Sequence, residues 1–287
     1  MKPLFFAMIV SIIFLSPCCI AEEKTASISV GLSSDDPYNW LEDVAGDKAL
    51  TWVRERNAET AKELEESESF KTLQAIILKI LVSDEKIPIV KKAGAYYYNF
   101  WRDALNSRGV SRRTTLEEYR KADPKWEKVL DDVKNRLYVL TPGKGGSNGG
   151  LLVGNMLIQY LHLQGAVVCS APLLDMKRYS HLLAGASWME EYGDPDKSDE
   201  WEYIKTFSPY QLVKSGAKYP PVLFMITTRD DRVHPSHARK MMANMRDLSY
   251  DVNYFENIEG GHGTAADNHQ TSHLWALAFA FLQQKLK

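Results

Sequence analysis

The sequence predicts an α/β fold, a parallel sheet covered by helices on both faces. Three observations carry this. Apolar strand-like and helix-like runs alternate from residue 136 to the end. A serine sits between two glycine pairs at the junction of one strand-like and one helix-like run. The runs at 165–169 and 221–227 are almost wholly apolar, as strands buried on both faces must be. Composition agrees: of 287 residues, 45% are hydrophobic and 25% charged, with a net charge of -2. That is ordinary globular usage, and it leaves no basic footprint for nucleic acid.

At the N-terminus, Lys2 is followed by an apolar run over 4–15, then Ser16-Pro17-Cys18-Cys19-Ile20-Ala21 and two glutamates. This pattern predicts a signal peptide over 1–21 and export to a periplasmic or extracellular space. The run is too short for comfortable membrane insertion. A lipoprotein anchored at Cys18 is the weaker alternative, because Pro17 precedes it. Cleavage after Ala21 leaves only Cys169, expected as a packed thiol in a buried strand.

Residues 22–85 form an N-terminal helical segment. It opens with Asp36-Pro37-Tyr38-Asn39-Trp40-Leu41-Glu42-Asp43, two large aromatics among acids, which suits a docking strap. Apolar residues then recur at helical spacing through 47–81. Glu63, Glu65, Glu66 and Glu68 are expected on a solvated face. Residues 86–135 change period. Ile87 to Val90 and Ala95 to Trp101 read as β, with Gly94 in the turn, followed by strand and turn over 108–120 and a short helix over 124–133. Aromatic stacking at 96–101 suits a sheet face; as a nucleic-acid platform it lacks a basic groove.

In residues 136–287, the reading is strand 137–141, helix 151–161, strand 166–169, an aromatic-rich excursion over 172–219, strand 221–227, amphipathic helix 236–248 capped by Ser236, strand 251–256 and helix 272–286. Strand 137–141 leads into Gly145-Gly146-Ser147-Asn148-Gly149-Gly150. That is the layout of a nucleophile elbow, in which glycines relieve crowding around a serine on a tight strand-to-helix turn. The helix that starts there aims backbone N–H groups at a developing oxyanion.

Two further residues fall where an α/β-hydrolase places its acid and base. Asp230 follows strand 221–227, and His262 follows strand 251–256. The acid is 83 residues after the serine (230 − 147) and the histidine 32 after the acid (262 − 230). Serine hydroxyl is a poor nucleophile at neutral pH; an imidazole can take its proton, and a carboxylate fixes the ring's tautomer. A surface turn for Asp230-Asp231-Arg232 and a solvated loop for His262 are the plain alternatives taken singly. His269 and His273 are four apart on the last helix but lack a third ligand, so they are not read as a metal site. His162, His181, His234 and His237 show no consistent partners. Nothing calls for a cofactor.

The segments GGSNGGLLVGN, LLAGASWMEEYGDP, TTRDDRVHP and IEGGHG resemble the catalytic domain of the prolyl oligopeptidase family. DDPYNWLEDV resembles that family's N-terminal segment, and GAYYYNFWRD with RRTTLEEYRKADP the opening of its β-propeller. The resemblance implies a partial α/β-hydrolase catalytic domain, with Ser147 as nucleophile, Asp230 as acid and His262 as base. It implies an oxyanion donor at the Asn148 N–H, Trp188 stacked on a substrate proline and Arg232 on a substrate carbonyl. Most of the propeller and the first hydrolase strands have no counterpart, nor does the family's tyrosine oxyanion donor. The implied function is a serine oligopeptidase acting on proline-containing peptides, with activity impaired. The alternatives are an inactive, internally deleted remnant and a small-ester hydrolase. An unpaired edge on strand 137–141 is expected to favour self-association.

Overall fold

The computed structural model describes residues 36–83, 85–131, 147–263 and 265–286. The expected signal peptide, strand 137–141 and the glycines before Ser147 lie outside the described residues.

A run of six residues without a charge, Val-Leu-Phe-Met-Ile-Thr, forms the central strand of a parallel sheet. The strands are β5 (Val167–Ser170), β6 (Val222–Thr227) and β7 (Val252–Asn257), in the order β5-β6-β7. All six residues of β6 are buried. Val222, Phe224 and Ile226 face one side, packing with Leu157 and Ile158 of α4 (Ser147–Gln159) and with Ala238, Met241 and Met245 of α8 (Ser236–Asp247). Leu223 and Met225 face the other, against Leu274, Leu277 and Phe281 of α9 (Asn268–Lys285) and Phe70 of α2 (Glu68–Val82). Period-two alternation between two apolar layers is what a doubly covered sheet requires. Among the described residues the sheet has three strands. No described helix is long and apolar enough to cross a membrane.

The outer edge of β7 is closed by α1 (Asp47–Leu64). Asn57 donates through Nδ2 to the Glu256 carbonyl at 2.9 Å and accepts from the Glu256 N–H at 2.8 Å, while Thr60 Oγ1 accepts from the Tyr254 N–H at 3.0 Å. Trp52 meets Tyr254 edge-to-face with centroids 5.3 Å apart. The strap runs over α8 through a 3-10 turn at Asn39–Glu42, burying Leu41 against Ala49 and Ala243.

α8 is amphipathic, with Ala238, Met241 and Met245 in the core, but its charged residues are covered by the strap instead of solvent. Arg239 and Lys240 are fully buried. Arg239 pairs with Glu256 at 2.6 Å and donates to the carbonyls of Leu41, Asp43 and Val44. Lys240 Nζ sits 2.6 Å from Asp36, 3.1 Å from Glu42 and 2.7 Å from Asp175. Nor is Ser236 a cap: it is the first helical residue, and its Oγ pairs with His234 Nδ1 at 2.8 Å.

A separate antiparallel sheet runs β1 (Lys91–Ala93), β2 (Tyr96–Trp101), β3 (Val110–Thr115), β4 (Glu127–Asp131), with α3 (Leu116–Tyr119) before β4. Gly94 turns between β1 and β2 at φ 60°. The helix expected over 124–133 is instead β4, which pairs with β3 and places Glu127 2.8 Å from Arg113. A strand at an existing sheet edge gains ladder hydrogen bonds that outweigh weak helix propensity. Residues 87–90 stay outside the sheet; Pro88 has no N–H to give, and Ile87 and Ile89 are exposed. The excursion holds α5 (Met189–Tyr192), α6 (Ser198–Ile204) and α7 (Pro209–Leu212). Helix α9 starts four residues before the expected 272, because Asp267 caps it by accepting from the Gln270 N–H at 2.8 Å. Glu63, expected in solvent, pairs with Lys285 at 3.0 Å and accepts from Asn253.

Candidate active site

Three chain segments converge at the C-terminal ends of the parallel strands. The turn after β6 carries Asp230, 6% exposed. Its Oδ1 accepts from the backbone N–H of Arg232 at 2.9 Å and of Val233 at 3.0 Å, so the local turn aims the carboxylate. The loop after β7 carries His262, whose Nδ1 lies 2.9 Å from both Asp230 oxygens. A carboxylate can only accept, so this pairing puts the imidazole proton on Nδ1 and leaves Nε2 to take another. Thr227, the last residue of β6, donates through Oγ1 to the Gly261 carbonyl at 3.0 Å, tying the loop next to His262.

The third segment is the start of α4, which opens at Ser147, four residues before the expected 151. The helix approaches the end of β5 closely. A Cβ on Gly150 would lie 2.5 Å from Pro172 Cα, so only glycine lets the backbones meet. Cys169 lies beneath this crossing, fully buried, with Sγ 3.8 Å from the Gly150 carbonyl. Burial pushes its thiol up to about 12, as expected of a packed cysteine and not a nucleophile. The side chains of Ser147 and Asn148 lie outside the described atoms.

Trp188 ends the 3-10 turn Leu183–Trp188 and is half-buried. It packs on the cluster of Leu151, Leu173, Met176, Tyr179 and Ile204, so it shares a core with the first turns of α4. Arg232 is half-buried on the Asp230 turn, and its guanidinium has no hydrogen-bond or ion-pair partner among the described residues.

Three of the histidines that sequence left without partners have them here. His237 is buried, with Nδ1 accepting from the Asp175 N–H at 3.1 Å; burial holds it well below the ordinary imidazole range. His234 accepts from the Ser236 N–H at 3.1 Å, and burial pushes it down to about 4. His181 Nε2 is 2.8 Å from Asp196. His273 lies 3.2 Å from Glu65 and edge-on to Phe70. Among the described residues no group of three or more acidic, histidine or cysteine side chains is placed to hold a metal ion.

Comparison with known proteins places this chain in a family. Residues 136–287 match the prolyl oligopeptidase family, and residues 21–135 match the N-terminal beta-propeller domain of prolyl oligopeptidase. An uncharacterized peptidase of Sinorhizobium fredii is 48% identical over 142 residues, 50% of this chain and 20% of that protein. An uncharacterized peptidase of Rickettsia prowazekii is 32% identical over 197 residues, 68% of this chain and 26% of the relative. Among solved structures, a post-proline cleaving enzyme from Rickettsia typhi is 35% identical over 50% of this chain and 21% of its own, with a TM-score of 0.46. The chain thus aligns with only a fifth to a quarter of these curated relatives. With one profile covering the parallel sheet and its helices and the other everything before it from residue 21, the chain belongs to the prolyl oligopeptidase family.

Proposed function

We propose that this chain is an exported serine-type oligopeptidase that cleaves short proline-containing peptides through an acyl-enzyme, at a reduced rate. The observation that carries the reading is the Asp230–His262 pair, joined at 2.9 Å across the ends of two adjacent parallel strands. The relative from Elizabethkingia miricola, 40% identical over 103 residues, is a prolyl endopeptidase, which supports the peptide class.

In this mechanism Ser147 Oγ attacks the carbonyl of the proline residue itself as His262 Nε2 takes its proton. Asp230 holds the ring and stabilises its cation. The Asn148 N–H, at the start of α4, faces the oxyanion. His262 returns the proton to the leaving amine, and water then releases the acyl group by the same route. Trp188 offers an indole face to the proline ring, and Arg232 a donor to a substrate carbonyl. A missing second oxyanion donor lowers kcat by about 10²–10³-fold.

One observation favours a second reading, an inactive remnant: the two family matches abut between Asn135 and Arg136, with four antiparallel and three parallel strands among the described residues. A fluorophosphonate probe separates the two. Labelling of the wild-type chain that disappears in Ser147→Ala supports the peptidase, whereas a folded protein that takes up no probe sinks it. Faster turnover of a simple ester than of a proline-containing peptide would assign the small-ester reading instead. Export is tested by N-terminal sequencing of the secreted form, expected to begin at Glu22.

A further inference from the structure

His262 sits among glycines, at Gly260-Gly261-His262-Gly263, so its own backbone does little to fix the ring. Its alignment must come from outside the loop. Asp230 holds Nδ1 and Thr227 holds the Gly261 carbonyl. Neither fixes the base of the loop, where the chain leaves β7 and returns to α9.

One side chain does. The Oε1 of Gln270, in the first turn of α9, accepts from Asn257 Nδ2 at 2.8 Å and from the Ala266 N–H at 2.8 Å. Its Nε2 donates to Glu259 Oε2 at 2.9 Å. A single amide thus joins the end of β7, the outgoing arm and the returning arm. Gln270 is itself fixed, because its N–H is held by the Asp267 cap and its helix packs beneath the sheet. The chemistry selects glutamine. Acceptance by one atom and donation by its neighbour are needed together, and a carboxylate there would face Glu259 with like charge.

We propose that Gln270 is a positioning residue for His262: it closes the base of the histidine loop and thereby holds the ring in line for proton transfer. The proposal rests on the peptidase reading for its kinetic consequence but not for its structural one.

Two measurements on the full chain test it. The first needs no activity. The His262 Nδ1 proton shared with Asp230 should give a low-field proton NMR signal, assigned by its loss in His262→Gln. In Gln270→Ala its exchange with water should accelerate at least about ten-fold while the protein still melts cooperatively. The second is the fluorophosphonate reaction, where Gln270→Ala should lower the limiting rate about ten-fold and leave half-saturation nearly unchanged. Gln270→Glu keeps both acceptor contacts, loses the donor and sets a second carboxylate against the exposed Glu259; it should retain the fold and show a smaller deficit than Gln270→Ala in both readouts. Unchanged exchange and an unchanged limiting rate in either folded variant would overturn the proposal. A wild-type chain that never labels counts against the peptidase reading alone, and the exchange measurement still decides the role of Gln270.

Discussion

His234 and His237 lie within the turn and helix that follow Asp230, and both are kept neutral by burial. For His234, burial acts with Arg239 and Lys240 against Glu42 and Glu256, and the net shift is from 6.5 down to about 4. A folded value below the unfolded one means stability is fully present above about pH 6.5 and drains away as pH falls toward 4. For His234 alone the loss is on the order of 3 kcal/mol. We expect urea midpoints to drop steeply between pH 7 and 4.5, and His234→Gln to flatten that slope; a parallel slope in the variant would show that other groups carry it. That Asp230 and His262 fall on the loops after two adjacent strands was legible in sequence, because strand ends and short motifs are local. The partner of His237 was not. Asp175 lies 62 positions from His237, and no local pattern encodes such a pairing.

Helix α8 shows the same limit for a whole element. An amphipathic helix ordinarily turns its charges to water, yet Arg239 and Lys240 are buried because the strap 36–46 comes from the other end of the chain to cover them. Strand β4 was missed for the same reason, since its partner β3, not its own residues, makes it a strand. The central strand and the helices behind it were legible because a continuous apolar run and helical periodicity need no partner to be recognised. Glu256 gathers Arg239, Tyr254 and Thr228, and Thr228 stands two residues before Asp230. The strap, α8 and the acid turn therefore share one buried network. Removing one member of a buried ion pair strands the other, at about 3–5 kcal/mol. Arg239→Ala should lose stability in that range and open residues 36–46 to limited proteolysis. If the strap stays protected in that variant, the network is not what holds it.

At the scale of the molecule, the two outer strands of the parallel sheet among the described residues differ in their surroundings. Beside β5, α4 exposes Leu152 at 62%, and α9 exposes Trp275 at 54% and Phe279 at 43%, their rings stacked with centroids 5.8 Å apart. Leu163 just before β5 and Leu286 are exposed as well, and Leu286 lies against Gly165 where β5 begins. Apolar surface of this kind promotes association in water. Light scattering should show mass rising with concentration, and Trp275→Glu with Phe279→Lys should suppress the rise without lowering Tm; persistence in the double variant would move the contact elsewhere. The opposite edge behaves otherwise. Asn57 and Thr60 already occupy the Tyr254 N–H and both backbone groups of Glu256, and α1 lies along the edge, so no strand can add at β7. A sheet open at both sides propagates into a filament, because each new copy brings a fresh edge. A sheet sealed at β7 by the amide of its own helix cannot grow from that side, so whatever association the molecule undergoes does not run on through the sheet as a filament.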